Sequence, residues 1–453
     1  MTRAGRRRDE ADWIEVVDAL ERILGAVGPL DGEVAPLAVA AGRVLSEPVV
    51  APFDLPAFDN SAMDGFAARA ADVEAATRDD PAVLRLVADV PAGVTDPGRI
   101  GPGEAAKVMT GAPVPGGADS VIRVEHTDAW EGDGWERGAG AEVRIHSNAD
   151  AGRNIRRRGE DVRAGSVALD AGTALGPPGI ALLAALGVEA VRVHRRPRVA
   201  ILSTGNEVVP AALAAEAAAG RAVVDANGPA LAAAVEALGG VALPLGIARD
   251  DPAEIRSLAS RGLDADALVT TAGASVGEHD IAHTALAELG LRPDFWRVRI
   301  RPGSPFAFGT IAREDASPLP VFGLAGNPVS AVLTFLVLVR PALLRMAGER
   351  DVLPPLIDVR AAEPLGSRSG LVHLLRVRLA PDGEGGWLAR GAGAQGSGVM
   401  STLAAADAVV VVPLDADGIA AGEVARAIPL RRRETWAAPR PGDVFAAGHG
   451  APE

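Results

Sequence analysis

The stretch from Ala267 to Leu289 constrains the chain more than any other. It opens with an apolar, β-rich run, Ala267-Leu-Val-Thr-Thr271, breaks at Gly273 and Gly277, and turns helical from about Asp280. That is the layout of a buried strand, a tight turn and a helix start. Gly273, Ser275 and Gly277 are small, so backbone N–H groups there can approach a ligand closely. A helix start beside such a turn suits an anion. Glu278 and Asp280 add carboxylates, which suit a hard divalent cation. An ordinary strand-to-helix connection has the same pattern, so the neighbouring segments have to decide.

From Pro197 those segments alternate strand and helix. Val199–Ser203, a helix from Asn227 to Leu238, Val241–Ile247, a helix near Pro252–Ser260 and Leu268–Thr271 are followed by Val321–Leu324 and a long helix to about Met346. This order predicts a parallel, doubly wound sheet, which binds ligands beyond the carboxyl ends of its strands. Those ends carry Thr204-Gly205-Asn206-Glu207, Asp250-Asp251, the turn up to Asp280, and Gly326-Asn327-Pro328. Asn327 suits a helix N-cap and Pro328 the first helical position. Glycine turns, helix starts and carboxylates together are what a phosphorylated ligand with a bound divalent cation needs.

Elsewhere the pattern differs. Trp13, Val17, Leu20, Leu24 and Val27 fall at helical spacing over 11–27, and a second helix is expected over Leu37–Ser46. Phe58 to Ala67 holds a polar cluster, Asp59, Asn60, Ser61 and Asp64, which reads as a turn held by side-chain hydrogen bonds. Short strands with frequent Gly and Pro fill Val83–Val143, with Glu131–Gly140 expected as an exposed hairpin tip. Arg156-Arg157-Arg158 reads either as a solvated face or as an anion clamp. The Ala-rich segment Ala211–Ala222 is expected to be a poorly constrained connection, and Val352–Pro355 a linker into a small β domain.

With 453 residues the chain needs more than one core. A net charge of −14 argues against a general nucleic-acid binder, and the absence of cysteine removes disulfides and thiolate metal sites. The apolar run Val329–Val339 is too short to span a bilayer, so a cytoplasmic protein with neither membrane nor nucleic acid as partner is expected. Lys107 is the one lysine, and arginine has replaced lysine almost everywhere.

Six ordered segments, Phe58 to Ala67, Met109-Thr-Gly-Ala-Pro113, Arg158-Gly-Glu-Asp161, Ser203-Thr-Gly-Asn-Glu207, Ala272 to Asp280 and Gly323 to Ser330, together resemble the molybdopterin molybdenumtransferase (MoeA) family, seen also in the E domain of gephyrin. The resemblance runs from about Trp13 to Leu430. It implies a multidomain α/β chain: a connecting domain (8–50 and 166–195), an inserted β-rich domain (51–165), an α/β molybdopterin-binding domain (196–350), a C-terminal β domain (355–435) and a disordered tail (437–453). It further implies insertion of molybdate into adenylylated molybdopterin with release of AMP, assisted by Mg²⁺ or Zn²⁺. It also implies a homodimer whose active sites are shared between subunits, and it raises a contact with the molybdopterin adenylyltransferase.

Position by position, the resemblance gives catalytic roles to Asp64, Thr110, Asp161, Glu207 and Asp280. Metal ligands would come from Asp64, Glu207, Asp250, Asp251 and Asp280. Substrate contacts implied by the resemblance are Arg156, Arg376 and Ser397, with Arg297 and Arg301 in the place of its lysine-rich segment; the ligand-edge turns add Thr204, Gly205, Gly273, Ser275, Gly277, Gly326 and Asn327. The chain departs from the family where Arg297 and Arg301 replace lysines, where Ser304 drops a cation, and where Ala272 and Ala325 replace glycine and proline. Two other readings stay open. The related adenylyltransferase shares the Gly273–Gly277 turn but lacks the inserted β domain. An altered paralogue would act as a cofactor-binding or scaffold protein.

Overall fold

The computed structural model describes residues 13–130, 132–271, 281–314, 316–367 and 370–430. The expected turn residues Gly273, Ser275, Gly277, Glu278 and Asp280, and the tail 437–453, lie outside the described residues. The chain forms two compact units, one from Val34–Ala41 and Glu47–Val191, the other from the rest.

The first unit is built on a five-stranded sheet in the order Ser120–Arg123, Gly65–Ala68, Glu104–Val108, Ala82–Val90, Glu142–Ile145. Alternate side chains Phe66, Leu84, Leu86, Ile122, Val143 and Ile145 fill one core. Gly65 is required by close approach: a Cβ there would stand 2.0 Å from the Ile122 carbonyl oxygen. The expected hairpin tip is instead a short helical turn, Gly132–Glu136. Its Trp135 packs edge-on against Phe66, with centroids 5.7 Å apart, and covers the Lys107 ammonium at 4.7 Å. Lys107 is buried and lies 3.2 Å from Asp89. An indole that buries its own ring and shields a buried cation has more to gain inside than in solvent.

The second unit contains the α/β domain. We label its strands β1 (Arg198–Thr204), β2 (Val241–Ala248), β3 (Ala267–Thr271), β4 (Leu291–Arg297), β5 (Pro305–Ile311) and β6 (Leu319–Leu324). Its helices are α1 (Asn227–Ala237), α2 (Pro252–Ser260), α3 (Ile281–Glu288) and α4 (Pro328–Thr334). The sheet order is β2-β1-β3-β6-β5-β4. Every residue of β3 and β6 is buried, as continuous apolar strands covered on both faces must be, and separate cores form on the two faces. The sheet is mixed and not wholly parallel: β5 runs antiparallel to β6 and to β4. Phe295, Phe306, Phe308 and Phe322 stack along this edge and hold the added hairpin.

Three further expectations change. Leu37–Ser46 is no helix; one 3₁₀ turn, Leu37–Val39, follows the strand Gly32–Pro36, and Gly42 sits at φ +76°. The Ala-rich segment is ordered: helix Ala214–Ala218, tied by Arg221 to Glu216, lies between Val208–Val209 and its parallel partner Val223–Val224. The long helix to Met346 forms as expected over Pro328–Met346, but it is long and apolar enough to cross a membrane, where the sequence run looked too short; most of it is buried in the protein. A widened π turn at Phe335–Val339 precedes Pro341, which has no N–H to donate and whose ring crowds the preceding turn.

Five C-terminal strands and Ile300–Arg301 form a six-stranded sheet in which Val372–Pro381 pairs with both Trp387–Gly391 and Ala408–Val412, closing it into a barrel-like form. The short strand Ile300–Arg301, reaching over from the α/β domain, pairs with Val372-His373 and sets Arg301 at its edge.

Candidate functional site

In the first unit, Asp64 and Thr110 meet. One Asp64 oxygen accepts both the Thr110 backbone N–H (2.6 Å) and its hydroxyl (2.8 Å), and both residues are exposed. Glycine at 65 lets this turn sit directly against the neighbouring strand, so the carboxylate stands on a rigid support. Arg156 pairs across a short antiparallel bridge with Asn60. The arginine run divides by function. Arg157 donates to Asp59 (2.7 Å) and Arg158 to Asp54 (2.5 Å), whereas exposed Arg156 has no carboxylate partner among the described residues. Burial opposes ionisation of Asp59, but the bonds from Arg158 N–H and the Arg157 side chain hold its pKa below the ordinary carboxylate value. Asp54 is lowered by the Ala164 N–H and by Arg158. Asp161 is exposed, its backbone N–H bonded to the Leu55 carbonyl.

In the second unit, strand ends and helix starts of the α/β domain enclose a cleft of about 380 Å³. Thr204, Glu207, Asp225, Asn227, Thr271, Gly326, Asn327 and Pro328 are among its lining residues. Glu207 is exposed, and its carboxylate folds over Gly205: a Cβ on Gly205 would lie 3.0 and 3.1 Å from the two oxygens. Gly205 also has φ +142°, so no other residue fits the turn as well. Thr204 is buried and its hydroxyl donates to the Thr271 carbonyl (3.1 Å), which makes it a strut between β1 and β3. Asn327 occupies the N-cap position of α4, but its exposed side chain makes no capping bond.

The acidic pair after β2 separates. Asp251 caps α2, accepting from Ala253 N (2.8 Å) and Glu254 N (2.9 Å). Asp250 makes only a long reciprocal pair with Asn206 at 3.2 and 3.3 Å. Asp225 accepts from the Ser203 hydroxyl and the Gly228 N–H, which leaves Glu207 and Asp250 as the less committed carboxylates described on this edge. No group of three His, Asp or Glu side chains suited to a metal converges among the described residues, and Asp280 lies outside them.

A second cleft, about 340 Å³, is lined by Arg301, Ser367, His373, Gln395 and Gly396 among others. Behind its wall Arg376 is 1% exposed. Its guanidinium donates to the carbonyls of Ala394 (2.9 Å) and Gly396 (3.1 Å), and no carboxylate accompanies it among the described residues. Its Nε is buried and has no partner, and burial lowers its pKa. Gln395 closes the loop by exchanging bonds with the Arg376 backbone, both at 2.9 Å. The two clefts flank the start of α4: Pro328 lines the first, and the next residue, Val329, donates to the Ser397 carbonyl beside Gly396. Arg297 lies apart, its guanidinium 5.7 Å from the Trp13 ring centroid. The Ser304 hydroxyl is turned back on the Ile300 carbonyl (2.5 Å).

Family models cover these parts in order. The MoeA N-terminal region (domains I and II) matches 14–187, a probable molybdopterin-binding domain matches 200–345, and the MoeA C-terminal region (domain IV) matches 358–430. Molybdopterin molybdenumtransferase 2 of Mycobacterium tuberculosis is 35% identical over 393 residues, 85% of this chain and 92% of that one. The chain belongs to the molybdopterin molybdenumtransferase family. The Nostoc sp. member of the family is 35% identical over 403 residues, 87% of both chains. The molybdopterin biosynthesis moeA protein of Pyrococcus horikoshii OT3 superposes with a TM-score of 0.78 at 29% identity, covering 92% of this chain and all of that one. Against this family frame, Asp225, Asn227, Gln395 and Ser367 are site-lining residues that sequence reading missed. Asp225 and Asn227 carried a signal: two polar residues between the paired segment Val223–Val224 and a helix start, at the ligand edge of the sheet.

Proposed function

We propose that the protein inserts molybdenum into molybdopterin in the last step of molybdenum cofactor synthesis, taking adenylylated molybdopterin and molybdate and releasing AMP. The observation that carries the reading is Arg376, a buried cation with no carboxylate partner among the described residues, held behind a cleft whose edge carries Arg301. A buried charge lacking a counter-ion is costly, and an oxyanion in the cleft compensates it. Molybdate is such an oxyanion, and the exposed guanidinium of Arg301 at the cleft edge suits it. The neighbouring cleft offers hard carboxylates and glycine turns, which suit the diphosphate end.

Glu207 and Asp250 fit Mg²⁺ by donor chemistry, with Asp64 and Asp280 as further ligands under this reading. A bound Mg²⁺ would offset diphosphate charge and polarise the bond to be cleaved. The protein groups orient the substrate: Thr110 fixes one oxygen of Asp64 and leaves the other to face a ligand, while Arg156 is the open cation of its turn. The reading extends to a cytoplasmic homodimer, in which Asp64, Thr110, Arg156 and Asp161 from one subunit complete a site with Glu207 and Asp280 of the other. A contact with the adenylyltransferase would hand over the substrate.

Incubation of the pure protein with adenylylated molybdopterin, molybdate and Mg²⁺ tests this by AMP release. Asp64→Ala and Asp280→Ala are expected to be folded and inactive. After verified subunit exchange between these two variants, about a quarter of all sites should recover, because a two-fold dimer concentrates both lesions in one site. A mixture as inactive as its components rejects the shared site, and absence of AMP release by the native protein rejects the transferase.

A further inference from the structure

We infer that Asn227 is a specificity-determining residue whose side-chain carbonyl accepts an N–H from the exocyclic amino group of the substrate's flat heterocycle. The inference rests on the reading of the first cleft as the substrate site.

Asn227 opens α1, is 7% exposed and lines that cleft. Its Nδ2 donates to the Gly326 carbonyl at 2.8 Å. A carbonyl can only accept, so this bond fixes which end of the amide faces Gly326. The other end, Oδ1, is buried and receives no donor among the described residues. Buried acceptors are almost always satisfied, and this one stands on the wall of a ligand cleft. Two neighbouring hydroxyls are committed elsewhere: Ser203 to Asp225 (2.9 Å) and Thr204 to the Thr271 carbonyl. A ligand in the cleft would supply the missing donor.

The lining narrows its chemistry. Val208, Val223, Val224 and Pro328 give the cleft apolar surface that suits the face of a flat ring. An unpaired carbonyl repels a phosphate and attracts an amino group. Adenylylated molybdopterin carries that group on two rings, the pterin and the adenine. A site built to accept a hydrogen bond rejects an analogue that presents an acceptor in its place.

Two pairs of probes separate the sources: pterin against lumazine, which has oxo in place of amino, and AMP against IMP. Binding to the native protein and to Asn227→Ala would be measured by calorimetry. In the native protein one pair should show a preference of roughly tenfold or more for the amino form. Asn227→Ala should reduce that ratio to about one. If the alanine variant fails to fold, Asn227→Asp decides: it keeps an acceptor, so the preference persists although overall affinity falls with loss of the Gly326 bond. Equal binding of both forms by the native protein, an unchanged ratio in Asn227→Ala, or loss of preference in Asn227→Asp overturns the inference and leaves the transferase reading standing. If no probe of either pair binds while AMP release is intact, the inference is likewise wrong. If AMP release also fails, the functional reading itself has failed.

Discussion

The protein has two arginine sites of opposite construction. In the turn at 156–158 the guanidinium groups are solvent-facing, and two of the three are matched to Asp59 and Asp54. At 376 a single guanidinium is buried, matched among the described residues to backbone carbonyls and open at Nε. Counted from the sequence, the first looks the stronger anion site. Compensation reverses that order, because a cation already neutralised by a carboxylate has little left to offer an anion, while an uncompensated buried one has much.

The sharpest way to break this contrast is Arg376→Ala. It removes charged donors from two carbonyls, at roughly 1.5–3 kcal/mol for each bond, so the thermal midpoint should fall by several degrees in calorimetry. Molybdenum insertion should fall by at least about 100-fold, and Arg376→Lys should not restore it, since an ammonium lacks the fork. Arg301→Ala, at the exposed edge of the same cleft, should raise the molybdate concentration for half-maximal AMP release by about tenfold with an unchanged midpoint. Ser304→Lys should be tolerated or lower that concentration. An unaltered molybdate response in Arg301→Ala would remove this cleft from molybdate binding.

Smaller effects separate members of the exposed turn. Arg156→Ala should slow turnover with no stability change, whereas Arg157→Ala should cost less than about 1 kcal/mol and leave turnover near normal. The reverse result would mean that pairing does not decide availability. The smallest effect is pH dependence. Asp54 and Asp59 have folded pKa values below the unfolded ones. Their contribution is therefore fully present above the ordinary value of about 3.9 and is lost as pH falls through the folded values. Amide protection in 157–164, taken relative to the intrinsic exchange rate, should fall below about pH 4, while the loop carbonyls bound by Arg376 have no such transition.

Much of this was legible early because strand ends are written in short-range chemistry. Buried runs such as Ala267–Thr271 and Leu319–Leu324 announced both the sheet and its ligand edge. The hairpin Leu291–Ile311 was not seen, since Arg and Pro interrupt its alternation and phenylalanine stacking, a tertiary property, stabilises it. The place of Thr204 in its turn predicts a substrate contact, but its hydroxyl is consumed by a carbonyl 67 positions away. Asp250 and Asp251 are equivalent in sequence and become distinct only when α2 claims the second as its cap. Asn227 reads like an ordinary helix-start residue; its unanswered carbonyl exists only in three dimensions.

One packing detail offers an assay. Lys107 lies inside the strand Glu104–Val108 beneath Trp135, and the chain has no other lysine. A lysine-specific protease thus has a single cleavage point, reached only when that strand leaves its sheet. The rate of appearance of one pair of fragments would time the opening of the N-terminal unit, silent to any breathing of the α/β domain.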